Sequence, residues 1–366
     1  MNAAQTRRPV LLDKPMLRSH SIALVAGLVA VTAQAPAQSI DVRVDPRVEL
    51  IAIVSRLAGR SEYNMTRVPR WSTAVDEYFA PYRDHPAVAM TRRLGFGFFI
   101  PMNLAIHLTL PTELAERTPF VTSTSLHRRW TTYPDSTRVY IELLRAFARD
   151  ARFSDFLAAN RPLVDSASVR LRRVANGIDR TWIDRFWGGP AAMDFILVAG
   201  LTNGGASYGQ EYTPPSGRSE AYAIVGVLHT DAQGFPFYDD SDVSTVIHEM
   251  NHPYVTPLIR ANAESLRPPA ESLFATVAKE MRAQSYGSWD SMLNESLVRA
   301  AQPRYYLAHG DTANAERTIS EEIRLGFAWT RQLVALLGEY ERNRVAYPTF
   351  SAFMPRVVTF FRDWRP

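Results

Sequence analysis

His248, Glu249 and His252 stand in the order H-E-x-x-H. On an α-helix, residues four apart lie one above the other on the same face, so the two imidazoles can share one metal ion. Glu249 leaves the helix about a third of a turn from His248, close enough to hold a water without itself ligating the ion. A zinc ion bound in this way acidifies a water, and a neighbouring carboxylate can take the proton as that water attacks a carbonyl. Histidine is scarce, eight in 366 residues, and two of the eight fall at this spacing around a glutamate. The alternative is a surface helix carrying two solvated histidines. Val243, Val246 and Ile247 argue instead for a partly buried helix, opened by the cap candidates Asp240 and Ser241. Imidazoles on such a helix need a partner, and one metal ion satisfies both.

A catalytic zinc usually has three protein ligands and a water. The chain has no cysteine, so the third ligand must be a histidine or a carboxylate. Downstream of the motif the choices are Glu264, Glu271, Glu280, Asp290, Glu295 and His309. Glu295 sits inside the strongly helical run Met292–Ala300, and Arg299 at i+4 can pair with it or hold its second oxygen. It is the favoured ligand, although a plain helix-face ion pair gives the same pattern. Glu271 ranks second; beside Pro268-Pro269 it reads as a carboxylate near a helix start. Pro253 and Pro257 predict that the metal helix ends or kinks directly after His252, which places the ion near a helix end.

The elements that must carry these residues are mostly helical. Pro46 opens one helix behind Asp45, and Ser72–Tyr82 suits a second. Phe96–Leu108 is a more apolar segment and fits a buried helix or a strand; His107 within it reads as a core residue. A 3.6-residue period over residues 136–188 predicts a packed helical layer. Met193–Leu201 and Ala221–Leu228 read as strands, with Asn203–Tyr212 a loop between them. Ala221–Leu228, just ahead of the metal helix, is either where an extended substrate would pair by strand addition or an internal strand. Helical pieces fill 264–309, and Ser320–Glu339 and Phe350–Phe361 close the chain.

Composition is that of a globular protein, 46% apolar and 21% charged. The net charge of +4 does not mark a nucleic-acid binder. Much of it lies in the first 37 residues, where Arg7, Arg8, Lys14 and Arg18 face only Asp13. Elsewhere arginines alternate with acids instead of forming a basic block. Arg18, the apolar run Ile22–Val31 and Ala33-Gln-Ala-Pro-Ala37 are the parts of a secretory signal peptide with cleavage after Ala37. Met16 is an alternative start. The run is too short to span a bilayer, so an exported protein without stable membrane insertion is expected. Residues 38–366 read as one catalytic unit: helical to about residue 190, metal-binding over about 191–310, and helical again to the end.

His248-Glu-Met-Asn-His252 followed by Leu293-Asn-Glu295 resembles the glutamate-zincin metallopeptidases, in which a helix glutamate downstream of H-E-x-x-H completes the zinc site. Asp45-Pro-Arg-Val-Glu-Leu50, Tyr78-Phe79, His85-Pro-Ala-Val88, His248–Leu258 and Asn294–Ala300 further resemble an exported bacterial family known only as a domain of unknown function. The resemblance implies a zincin-like fold, zinc and peptide-bond hydrolysis, without naming a substrate. It also implies an oxyanion donor, for which Tyr286, Tyr305, His229 and His309 are available. The expectation is therefore an α+β, predominantly helical protein with a small sheet beside the metal helix. It is expected to be an exported zinc metallopeptidase acting on peptide or protein, with His248, His252 and Glu295 as ligands and Glu249 as general base. An exported binding or scaffold protein with a structural or vestigial metal site is the alternative.

Overall fold

Asp45 shows how the first helix begins: its carboxylate accepts from Arg47 N at 3.0 Å, and Pro46 supplies a preset φ at the first helical position. The computed structural model describes Met1 and residues 40–96, 99–191 and 193–365; the remainder of the predicted leader lies outside the described residues. From residue 40 on, these fall in a single unit, Ala37–Pro366.

In chain order the elements begin with β1 (Asp41–Arg43), α1 (Pro46–Leu57), α2 (Pro69–Tyr78), α3 (Pro86–Leu94) and α4 (Ile100–Ile106). A helical layer follows, α5 (Arg128–Thr132), α6 (Pro134–Asp150), α7 (Phe153–Ala159), α8 (Arg161–Asn176) and α9 (Arg180–Trp187). Next come the strands β2 (Met193–Gly200), β3 (Tyr208–Tyr212), β4 (Ser219–Gly226), β5 (His229–Thr230) and β6 (Pro236–Phe237). The chain closes with α10 (Asp240–Ala261), α11 (Ala263–Ala283), α12 (Trp289–Ala308), α13 (Thr312–Arg324), α14 (Thr330–Arg342) and α15 (Phe350–Asp363). The fold is α+β and predominantly helical, as expected, with β5 and β6 forming a separate small ribbon.

The main sheet has the order β1-β2-β4-β3. Its first three strands run parallel, and β3 returns antiparallel along β4 with Gly209 opposite Ala223. Ala221–Leu228 takes the second of its two readings, an internal strand, and one expectation changes. β4 is paired on both sides, so its backbone groups are taken and it is not the strand to which a substrate would add. The outer strand is β3, inside the segment read as a loop: with Gly209, Gln210 and Glu211 at its centre it lacks an apolar alternation, and pairing to β4 alone makes it a strand. Gly226 shows how closely the preceding loop crosses the end of β4, because a Cβ there would lie 2.4 Å from Gly204 O.

The N-terminal segment braces this sheet from beneath. Arg47, buried, pairs with Asp45 at 2.6 Å and donates to the Tyr222 hydroxyl on β4 at 3.2 Å. Glu49, fully buried, accepts from Leu201 N at 2.7 Å and from Thr202 Oγ1 at 2.6 Å, holding the turn that leaves β2. Each of these polar groups meets a partner, which is what makes its burial tolerable.

α10 corrects one half of a further expectation, that the helix ends or kinks directly after His252. It runs on through both Pro253 and Pro257 to Ala261, so the helix does not end after His252. Proline removes the N–H that would bond four residues back, leaving the carbonyls of Glu249 and Pro253 without their rungs. Burial of Pro253, Tyr254 and Val255 against neighbouring elements holds the helical path regardless. The motif therefore lies mid-helix.

Candidate metal centre

α10 is anchored at its start by a capping box: Asp239 accepts from Ser241 N at 2.8 Å while its own N–H donates to Asp242 at 2.7 Å. The cap is one residue ahead of the expected Asp240. Within the motif the residues divide between two faces. Met250 and Asn251 are buried on one side, where Asn251 Oδ1 accepts from Trp187 Nε1 on α9 at 2.7 Å. This leaves His248, Glu249 and His252 facing α12 and β3.

α12 packs beside α10 with its rotation fixed by a buried seam. Leu293, Leu297 and Ala300 face the core, and Ser296 Oγ accepts from Trp329 Nε1 at 2.9 Å. The opposite face then presents Asn294, Glu295 and Arg299. Glu295 Oε2 lies 3.4 Å from His248 Nε2, and its Oε1 lies 3.6 Å from His252 Nε2. One donor atom from each of these three residues falls within 4.8 Å of the others, making them the metal-type cluster among the described residues. Glu271, the second choice, stands instead in the interior of α11, exposed, 3.7 Å from Arg267. The two prolines before it did not start a helix there; α11 runs through them.

Around the trio lies a second layer of contacts. His252 Nδ1 donates to Asn294 Oδ1 at 2.9 Å, and Asn294 Nδ2 donates to Thr256 Oγ1 at 3.0 Å. That chain leaves the Nε2 lone pair of His252 pointing toward Glu295, the tautomer a metal needs. Arg299 Nε donates to Glu295 Oε2 at 3.2 Å and Nη2 to the Tyr286 hydroxyl at 2.8 Å; Nη1 pairs with Glu322. Burial alone would push the Glu295 carboxyl up, but His248, His252 and Arg299 outweigh it and hold it well below the usual carboxylate range. Burial likewise disfavours charge on His248, yet Glu295 raises its pKa above the usual imidazole value.

These residues line a cavity of about 740 Å³ between α10, α12 and β3. Glu249 is buried, and among the described residues nothing donates to its Oε2. A buried carboxylate oxygen without a donor is costly unless a ligand or water meets it. Gly209 on β3 faces it so closely that a Cβ would sit 3.4 Å from Oε2. At the far end Arg260 ties the last turn of α10 to Glu211 on β3, at 2.7 and 3.1 Å. Of the four suggested oxyanion donors, Tyr286 lines this cavity. Tyr305 accepts from Asp179 N at 2.8 Å, His309 lies 3.3 Å from Asp179, and His229 lies 3.3 Å from Asp239; none of these three lines it. Two parts of the site escaped sequence reasoning: β3, and Asn294, whose one signal is its place directly before Glu295.

A model of a family described as a domain of unknown function, DUF4932, matches residues 40–360. The chain belongs to the DUF4932 family. No curated protein and no solved structure matches it. The DUF4932 match spans every element of the site, from β1 at one edge of the sheet to α12. Within this DUF4932 chain the short segments noted in the sequence do separable jobs. Asp45, Arg47 and Glu49 brace the sheet, His85 caps α3 by accepting from Ala87 N at 3.1 Å, and α10 with α12 carries the cluster.

Proposed function

We propose that this DUF4932 chain is an exported zinc-dependent hydrolase, a metallopeptidase acting on peptide or protein. One observation carries the reading: three metal-type donors converge within 4.8 Å beside a buried glutamate oxygen that has no donor among the described residues. Two neutral imidazoles and one carboxylate suit zinc, and the cavity leaves a side open for a further ligand. His248, His252 and Glu295 would hold the ion, which when bound supplies Lewis acidity and acidifies a water.

The chain's own residues do the rest. Glu249 takes the proton of the attacking water and returns it to the leaving amine. Asn294 fixes the tautomer and tilt of His252, and Arg299 restrains Glu295 so that the ligands are preorganised. β3 is an edge strand of the sheet and lies against Glu249 at Gly209, so an extended peptide adding to it as a further strand would present a carbonyl near Glu249. A leader removed after Ala37 would deliver the protein to the periplasm or the medium.

The first test is metal content of the chain from Gln38, wild type beside Glu295→Ala and Glu271→Ala. About one zinc per chain is expected, lost with Glu295→Ala and kept with Glu271→Ala. No zinc in the wild type after reconstitution at neutral pH would sink the reading. In the zinc-loaded protein Glu249→Gln should keep the metal and lose turnover by at least about a hundredfold. A chain that binds zinc but turns nothing over is a binding or scaffold protein instead.

A further inference from the structure

A second cavity, of about 790 Å³, adjoins the first, and the two share Ser244, Thr245, Gln302 and Glu322 as walls. The boundary is a saddle: Gln302 Nε2 on α12 donates to Ser244 O on α10 at 3.1 Å and also bonds its hydroxyl. Ser244 stands about one turn before His248, about 6 Å along the axis. An extended chain advances about 3.3 Å per residue, so one lying over the motif reaches the second cavity within two or three residues.

The walls of this cavity differ from those of the first. Phe237 lies on it with 46% of its surface exposed, beside Val174 and Val243. Around the aromatic stand Asp239, Asp240 and Glu321, with Arg317 the cavity's one basic side chain. Asp239 caps α10 and faces His229, and Glu321 is 3.4 Å from Arg324. Asp240 forms no ion pair among the described residues. Glu322, shared with the first cavity, is already paired with Arg299. An exposed ring and aliphatic wall beneath an acidic rim suit a side chain with a long apolar stem and a cationic head.

We propose that the substrate is cut within a longer peptide chain, and that the second cavity takes a lysine or arginine side chain two or three residues from the cleaved bond. The inference rests on the peptidase reading and adds to it an internal mode of cleavage and a specificity. A cleft that continues past the reacting centre has room for chain on both sides of the bond, which release of single terminal residues does not require.

The test is cleavage of a random-sequence peptide library by the zinc-loaded full mature chain, with products sequenced by mass spectrometry. Internal cuts are expected, with Lys or Arg favoured over Glu by about tenfold at one fixed position. Two exposed charge changes on α13 then move that ratio in opposite directions, about threefold each: Glu321→Lys lowers it and Arg317→Glu raises it. Opposite shifts cannot arise from misfolding. Release of terminal residues only, cuts without a basic preference, or a ratio that neither variant moves each overturns the proposal while leaving the peptidase reading intact. A zinc-loaded chain that cuts no peptide overturns the peptidase reading, and this inference with it.

Discussion

At the scale of single residues, the candidate site is ordered by a neutral amide as well as by the proposed ligands. Asn294 joins His252 to Thr256 through hydrogen bonds of 2.9 and 3.0 Å, so removing it frees the imidazole to rotate and to change tautomer. Asn294→Ala is expected to weaken zinc binding by about tenfold to a hundredfold in competition with a chelator, with Asn294→Asp restoring most of it. Unchanged affinity in the alanine variant would mean that α10 alone orients His252. The motif histidines and Glu249 were legible because their spacing demands only a helix. Glu295 could be favoured over Glu271 because it sits in an uninterrupted apolar helix, where a carboxylate needs partners. Asn294 was not legible, since its role depends on how α12 is rotated against α10, and that is set by Ser296, Trp329 and the apolar seam rather than by local sequence.

At the scale of elements, legibility followed hydrophobic periodicity. Helices with one buried stripe, such as α6 with Tyr140, Ile141, Leu144 and Phe147 inward, stand where a 3.6-residue period put them. α4 is buried all round, so Phe96–Leu108 showed no face from which to choose between helix and strand. The predicted helix Ser320–Glu339 is two helices, α13 and α14, parted near Gly326, whose φ of 103° a helix cannot contain. At α10 the expected stop after His252 is absent, because packing on a buried face carries the helix past Pro253 and Pro257. The position of β3 rests on the turn before it, where Gly204 O and Ala206 N press against Gly226. Gly226→Ala is therefore expected to lower the unfolding free energy by about 2–4 kcal/mol, read from a lower denaturation midpoint, and to raise KM more than it lowers kcat once a substrate is in hand. A variant as stable as the wild type would show that the loop can lift away without cost.

At the scale of the whole molecule, most arginines stand at the surface, and a few are drawn into the fold. Arg47, Arg56, Arg117, Arg299 and Arg304 each meet a carboxylate or carbonyl inside or at the edge of the fold. Glu49 has no such cation: burial pushes its carboxyl up to about 7 from an ordinary 4.5, against the hydrogen bonds from Thr202 and Leu201. A folded pKa above the unfolded one means that the fold favours the protonated acid. This contribution is complete below about pH 4.5 and is lost as pH rises through 7. Glu49→Gln should therefore gain on the wild type between pH 5 and 8 by an amount on the order of 3 kcal/mol, read as a rising difference in denaturant midpoint. A pH-independent difference would show that Glu49 stays ionised throughout. The pairing of β1 with β2 has a consequence in time. Asp41 lies opposite Ile196, so a chain delivered N-terminus first carries its first strand without a partner until β2 has followed. β4, which completes the parallel core, follows later still. The motif helix comes after all three, so the three residues of the His/Glu cluster emerge once the sheet on which α10 rests can already be assembled. Refolding should be slow and limited by the joining of distant strands.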